Sequence, residues 1–381
     1  MKILFVTSEF GSNGGGLSLS SERVFNYLSE RYSVQIVNPK NPQVLVADGG
    51  YNQELASAIR HENDLKIDAY QYKDKDIDYV IAFGGGFNGY YASILSQRIN
   101  SSFILCLRGT DVNLAKWSPI ETFYLKESAI HSHKVVCLSR EMIENLRLID
   151  KSLCIKCVLI PNSIVGGGDV TFMEKQNSTI VIGTASTHLN EKKGVANLLS
   201  LVKLAKESGI DINLELVGEI DADLYESYVK IINNFEISDH ITFHGRISRP
   251  ELSLLMRDWD LYVQASVCEG HPNSVIESLE NGISFISTRT GYIFEKLHCD
   301  FPEYFFDDNT PASMLKGVLA LLNDKKLALR SEQLRDNLLK SSDSNTIKNL
   351  WYKLLESPSK EVYCAFDGDN ILSVGLHDVQ G

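Results

Sequence analysis

Short apolar runs alternate with longer amphipathic stretches through the first half of the chain. The apolar runs are rich in β-branched residues and four or five residues long, which is typical of strands buried on both faces. They cover residues 3–6, 34–37, 79–82, 103–107, 134–138 and 157–160. Strands that alternate with helices predict a parallel sheet with helices on its faces.

The alternation lapses between residues 161 and 178, where glycine, asparagine and serine dominate, and then starts again. The second set of strand-like runs covers residues 179–183, 213–217, 240–243, 261–263 and 283–286. We therefore predict an α/β fold of two Rossmann-like parallel-sheet domains, at residues 1–165 and 176–341. A helix near residues 345–356 follows. The tail at 357–381 has the pattern of a β-hairpin that could pack on a domain or form an oligomer contact.

Charge and composition exclude several classes of protein. The net charge is −12, most of it in the second half, and the chain has no basic stripe of the kind that holds nucleic acid. No apolar run reaches the roughly 18 residues of a membrane-spanning helix, although peripheral membrane contact stays open. The apolar run at 3–6 is too short for a signal peptide, and seven scattered cysteines suit a reducing compartment, so we expect a cytoplasmic protein.

The most informative segment follows the strand-like run 260–266. Glu269 lies in the loop, and Glu277 lies in a short helix that Pro272 and Asn273 begin and Gly282 ends. The backbone amides of Asn273 and Ser274 at the helix N-terminus can bind an anion such as a diphosphate. Carboxylates on either side suit hydroxyl groups, as in the ribose and the sugar of a nucleotide sugar. The alternative is a surface helix with a solvated Glu277.

The run 260–282, with its two glutamates eight residues apart, resembles the donor site of retaining glycosyltransferases of family 4, which have the GT-B fold. The similarity extends in order over residues 1 to about 340. It includes the strand ends at Gly218 and at Gly245–Arg246, and the loop after the next strand at Thr290–Gly291.

The resemblance implies a set of donor-site roles. Glu269 and His271 would contact the sugar, Glu277 the ribose, and Lys193 the diphosphate and the charge on the leaving group. Thr187 stands where the family usually carries an arginine. The implied donor-binding residues are Gly270, His271, Pro272, Asn273, Ser274, Glu277, Gly245, Arg246, Gly218 and Thr187.

The first half contributes candidates at two strand ends. Gly14, Gly15 and Gly16 follow the first strand, where they could approach an acceptor or a phosphate or could form a simple tight turn. Arg108, close to Asp111, resembles the family's loop between the domains and could reach a phosphate or sugar oxygen. The alternative is an exposed arginine paired with Asp111.

The resemblance implies a metal-independent retaining glycosyltransferase without a cofactor, with Glu269, Lys193 and Arg108 as catalytic residues and a cleft between the domains. It would move a hexose-type sugar from a UDP-sugar or GDP-sugar to a glycan, glycolipid, protein or small-molecule acceptor. A first alternative is a non-catalytic GT-B subunit that binds a sugar nucleotide or a partner. A more distant one is a dehydrogenase, because Gly84–Gly89 fits a dinucleotide-binding pattern.

Overall fold

The computed structural model describes residues 1–11, 15–39, 71–73, 75–164, 170–172, 179–356, 362–367 and 370–376. The chain divides into two compact units. Unit 1 comprises Met1–Asn162 and Asn345–Gly381, and unit 2 comprises Ser163–Ser344.

Unit 1 is built on a six-stranded parallel sheet in the order β2-β1-β3-β4-β5-β6. Its strands are β1 (Lys2–Val6), β2 (Ser33–Val37), β3 (Tyr79–Phe83), β4 (Ser102–Cys106), β5 (Lys134–Cys137) and β6 (Cys157–Leu159). Its helices are α1 (Gly16–Ser29), α2 (Phe87–Ile99), α3 (Thr110–Ala115), α4 (Pro119–His131) and α5 (Arg140–Ile149).

Both faces of this sheet are covered, which explains the continuous apolar runs. Along β1, Leu4 and Val6 belong to one buried cluster, whereas Ile3 and Phe5 belong to another on the opposite face. Helix α13 (Ser344–Glu356) completes the second cluster through Ile347, Trp351, Leu354 and Leu355. The chain thus leaves unit 2 at α13 and ends in unit 1.

Unit 2 repeats the plan with a five-stranded parallel sheet in the order β11-β10-β7-β8-β9. Its strands are β7 (Ile180–His188), β8 (Ile212–Glu219), β9 (Ile241–Gly245), β10 (Leu261–Gln264) and β11 (Phe285–Ser287). Its helices are α6 (Val195–Glu207), α7 (Ala222–Phe235), α8 (Arg249–Met256), α9 (Asn273–Glu280), α10 (Gly291–Leu297), α11 (Pro311–Leu322) and α12 (Leu327–Ser342). The predicted fold class, two parallel-sheet α/β domains, is confirmed.

The tail forms two antiparallel strands, β12 (Val362–Asp367) and β13 (Asn370–Leu376), where the sequence predicts a hairpin. These strands lie beside β6 and the 3₁₀ helix Lys151–Lys156 of unit 1. Within the described residues, none of the helices combines the length and the apolar character needed to span a bilayer.

Candidate active site

The loop between β10 and α9 carries the two glutamates that the sequence singles out. Pro272 is the N-cap of α9 and has an extended backbone, so the helix begins at Asn273. Gly282, just past the helix end, has φ +75°, and a Cβ there would lie 2.5 Å from the Thr171 carbonyl oxygen. The helix therefore has the bounds that its proline and glycine predict. Glu277 is half-buried on this helix.

An ion pair joins the loop to a second strand end. Lys193 Nζ lies 2.7 Å from Glu269 Oε1, and the two side chains are only 22% and 10% exposed. Lys193 ends a 3₁₀ helix, Glu191–Lys193, that follows β7. The Val267 amide donates to the Lys192 carbonyl at 2.9 Å, which ties the two loops together. The sequence-predicted Lys193 and Glu269 are thus brought into direct contact.

Both members of this pair are ionised at neutral pH. Burial acts to raise the pKa of Glu269, but the charges of Lys193 and Lys192 and hydrogen bonds from Lys193 and Ser266 outweigh it and hold that pKa below its usual value. Burial likewise acts to lower the pKa of Lys193, and the charge of Glu269 raises it above the usual value. At neutral pH the site therefore carries one positive and one negative charge beside a helix N-terminus.

Gly194 makes this geometry possible. Its φ is +69°, and a Cβ at this position would lie 2.2 Å from the Ala265 carbonyl oxygen. The next helix, α6, starts directly after it. Only glycine both adopts this conformation cheaply and allows the two backbones to come so close.

The start of α10 packs against the same loop. Gly291 has φ +68°, and a Cβ there would lie 2.7 Å from the Gly270 carbonyl oxygen. The Tyr292 amide donates to that oxygen at 2.9 Å. The Tyr292 ring lies 4.8 Å from the ring of the buried His271. The contacts with Gly291 and Tyr292 therefore hold Gly270 and His271 in place.

Tyr262 is a polar group of this site that the sequence reasoning treated as strand core. It is 1% exposed, and its hydroxyl donates to Ser274 Oγ at 2.7 Å. Ser274 lies in the first turn of α9. A tyrosine in a buried strand needs a hydrogen-bond partner for its hydroxyl, and that requirement is the signal that could have revealed it.

The other donor-site candidates lie at the carboxyl ends of β7, β8 and β9. Thr187 precedes His188, whose Nδ1 lies 3.5 Å from Glu219 Oε2. Arg246 also approaches Glu219, at 3.4 Å. Gly218 has φ +146° and Gly245 has φ +63°. The structure thus places Thr187, Gly218, Gly245 and Arg246 along one edge of the unit 2 sheet.

Arg289, a further arginine of unit 2, contacts Phe306 and Asp307. Its Nε donates to the Phe306 carbonyl at 2.8 Å, and its guanidinium lies 3.5 Å from Asp307. Half of its side chain is exposed.

In unit 1, Arg108 and Asp111 do not form the exposed ion pair that was the alternative. The Arg108 guanidinium hydrogen-bonds to Asn162 Oδ1 and stacks 4.3 Å from the Phe83 ring centroid. Burial lowers the pKa of Arg108 to about 10. Asp111 instead accepts hydrogen bonds from four backbone amides, those of Gly85, Arg108, Gly109 and Val112.

The glycine loop after β1 is described in part. Gly15 is the N-cap of α1 and Gly16 its first residue, whereas Gly14 lies outside the described residues. For metals, no group of three or more His, Cys, Asp or Glu side chains suited to an ion occurs in the part of the chain that the structure describes.

Comparison with known sequences identifies the domain in the second half. Residues 172–337 match the profile of the family Glycosyl transferases group 1. An uncharacterized glycosyltransferase of Methanocaldococcus jannaschii is 25% identical over 269 residues, which cover 70% of this chain and 71% of that protein.

Solved structures share the fold over nearly the whole chain. HepE of Anabaena, in complex with UDP and glucose, has a TM-score of 0.71 at 15% identity and covers 94% of this chain and 100% of its own. Sucrose-phosphate synthase of Thermosynechococcus elongatus has a TM-score of 0.73 at 14% identity and covers 94% and 98%. Together these comparisons indicate that the protein is a glycosyltransferase whose solved structural neighbours have the GT-B fold, and residues 172–337 are similar to the family Glycosyl transferases group 1.

Proposed function

We propose that the protein is a metal-independent retaining glycosyltransferase that moves a hexose-type sugar from a UDP-sugar or GDP-sugar to a carbohydrate-containing acceptor. The observation that carries the proposal is the ion pair of Lys193 and Glu269 beside the N-terminus of α9. It supplies a cation for a diphosphate and a carboxylate for sugar hydroxyls within one short segment of the fold.

The donor would bind with its diphosphate on Lys193 and on the amides of Asn273 and Ser274 at the helix N-terminus. Glu277 would hold the ribose hydroxyls, and Glu269 and His271 the transferred sugar. As the glycosidic bond breaks, negative charge develops on the departing phosphate, and Lys193 stabilises it. A UDP donor is supported by HepE, which binds UDP and glucose.

Retention of configuration rests on the resemblance of the segment 260–282 to retaining enzymes. In that mechanism the acceptor attacks from the face that the phosphate leaves, and the phosphate oxygen takes the acceptor proton. No enzyme base is then required, so Glu269 acts by holding the sugar as an ionised carboxylate, in agreement with its lowered pKa.

Replacing Glu269 by glutamine tests the proposal. Glu269→Gln keeps the shape of the side chain but removes the charge, and we expect transfer and donor hydrolysis to fall about 100-fold or more. A control is Glu303→Gln, which breaks an ion pair with Arg330 elsewhere in unit 2. Equal turnover in wild type and Glu269→Gln would refute the assigned role.

A thermal-shift panel of UDP-, GDP- and ADP-sugars would identify the donor. A ligand at about 100 times its dissociation constant adds roughly 2.7 kcal/mol to the free energy of unfolding. Binding of a sugar nucleotide without transfer to any acceptor would favour the alternative of a non-catalytic subunit, which the presence of Thr187 in place of an arginine motivates.

A further inference from the structure

We propose that Tyr262 is a positioning residue that directs the hydroxyl proton of Ser274 toward a phosphate oxygen of the donor. This inference rests on the proposed function, because it assigns a further contact to the same diphosphate. It adds a side-chain donor to the backbone amides at the N-terminus of α9.

The geometry of the Tyr262 hydroxyl carries the argument. It lies 2.7 Å from Ser274 Oγ and 3.3 Å from the Ala185 carbonyl oxygen, and Tyr262 is the donor in both contacts. A phenol has a single proton, and the shorter distance assigns it to Ser274. Ser274 Oγ then accepts from Tyr262 and keeps its own proton for another acceptor. Ser274 is half-buried in the first turn of α9, where the diphosphate would bind.

The surroundings keep Tyr262 in its role as a donor. Its side chain is buried, and the charges of Lys193 and Glu269 act on its hydroxyl. Burial raises the pKa of Tyr262 and outweighs the opposing effects of its hydrogen bonds and of Lys193, so the phenol stays protonated at neutral pH. The hydroxyl thus connects β7, at Ala185, to the N-terminus of α9, at Ser274.

A second tyrosine–serine pair in unit 2 provides a matched control. Tyr304 is fully buried, and its hydroxyl lies 2.8 Å from Ser331 Oγ. Ser331 in turn hydrogen-bonds to Ser284, so this pair belongs to the packing of α12 and β11. Tyr304→Phe removes the same hydroxyl in the same kind of contact, away from the donor-site loop.

The test first identifies whether the wild type binds UDP or GDP, by calorimetric titration. The variants are then titrated with that diphosphate by calorimetry and with the matching nucleoside, uridine or guanosine, by NMR. We expect Tyr262→Phe and Ser274→Ala each to weaken diphosphate binding about 3- to 10-fold, the effect of one hydrogen bond. Nucleoside affinity stays unchanged, because the nucleoside has no phosphate. The double variant binds about as weakly as either single variant, since both substitutions remove one function.

Tyr304→Phe lowers the melting temperature about as much as Tyr262→Phe and leaves diphosphate affinity unchanged. Equal diphosphate affinity in wild type and Tyr262→Phe would overturn the inference, as would additive losses in the double variant. Failure of the wild type to bind either diphosphate would instead overturn the proposed function, so the two failures are distinguishable.

Discussion

The two units share an architecture but satisfy the polar groups at their strand ends in different ways. In both, the core is a parallel sheet, and loops at the carboxyl ends of the strands carry the polar residues. In unit 1 the carboxylate of Asp111 is held by four backbone amides, and Arg108 rests on Phe83 and Asn162. In unit 2 the carboxylate of Glu269 is balanced by the side chain of Lys193.

This difference separates a carboxylate that shapes a loop from one that is available to a ligand. Amides fixed in a loop cannot turn away from Asp111, so its charge organises the segment Arg108–Val112 and the neighbouring Gly85. A lysine side chain has four rotatable bonds and can move to a phosphate when a donor arrives. The ion pair is therefore the arrangement that suits binding and release.

Removing Lys193 should have the largest effect, because it leaves the buried Glu269 carboxylate without its counter-charge. In Lys193→Met we expect transfer to fall about 100-fold or more and the free energy of unfolding to fall by about 3 kcal/mol at pH 7, because Glu269 loses its partner. Thermal unfolding from pH 5 to pH 9, with a transfer assay at neutral pH, measures both effects.

The pH dependence of stability should also reverse. In the wild type the lowered pKa of Glu269 contributes stability that is lost only as the pH falls through that value, and the raised pKa of Lys193 contributes stability that is lost only at high pH. Without Lys193, the effect of burial on the pKa of Glu269 is opposed only by Lys192 and Ser266, so we expect that pKa to rise and the variant to gain stability as the pH falls below neutral. Arg108→Met leaves Asp111 with its four amides, and the same reversal in that variant would contradict the claim that these amides hold the Asp111 carboxylate.

Two glycines of unit 2 adopt the same left-handed backbone conformation but differ in how closely they are packed. Gly194 and Gly209 have φ of +69° and +73°, but a Cβ on Gly194 would lie 2.2 Å from Ala265 O, whereas one on Gly209 would have nothing within 4 Å. We expect Gly209→Ala to cost about 1 kcal/mol of strain. Gly194→Ala should cost about 3 kcal/mol, since overpacking is added, and should reduce transfer by displacing Lys193. Equal losses in chemical denaturation would contradict this account.

The strands and the site helix could be predicted because local sequence determines them. Continuous apolar runs identify strands buried on both faces, and Pro272 and Gly282 fix α9 through their own backbone restrictions. Lys193 and Glu269 lie 76 residues apart in the sequence. Only the resemblance to a family suggested that both residues belong to one site.

What the sequence could not reveal depends on long-range packing. The role of Asp111 depends on Gly85, 26 residues away, and the partner of Tyr262 depends on how α9 lies beside β7 and β10. The sequence left open an exposed ion pair of Arg108 and Asp111, whereas in the structure backbone amides bind the Asp111 carboxylate. Short-range charge patterns are weak guides where loop amides compete for the same oxygen atoms.

A small change in stability is expected at Glu121 of α4, whose carboxyl is half-buried. The carboxyl packs closely on Gly86, where an added Cβ would lie 2.9 Å from Glu121 Oε2. Burial, and then the charge of Asp111, raise the pKa of Glu121 above its usual value. Ionisation of Glu121 therefore costs stability, and this cost grows as the pH rises through the raised pKa. Since the group is partly solvated, we expect Glu121→Gln to stabilise unit 1 by only a few tenths of a kcal/mol at pH 7. The gain should vanish near pH 4, where the wild-type carboxyl is protonated. A gain of the same size at both pH values, in urea denaturation, would show that Glu121 acts through packing rather than through its charge.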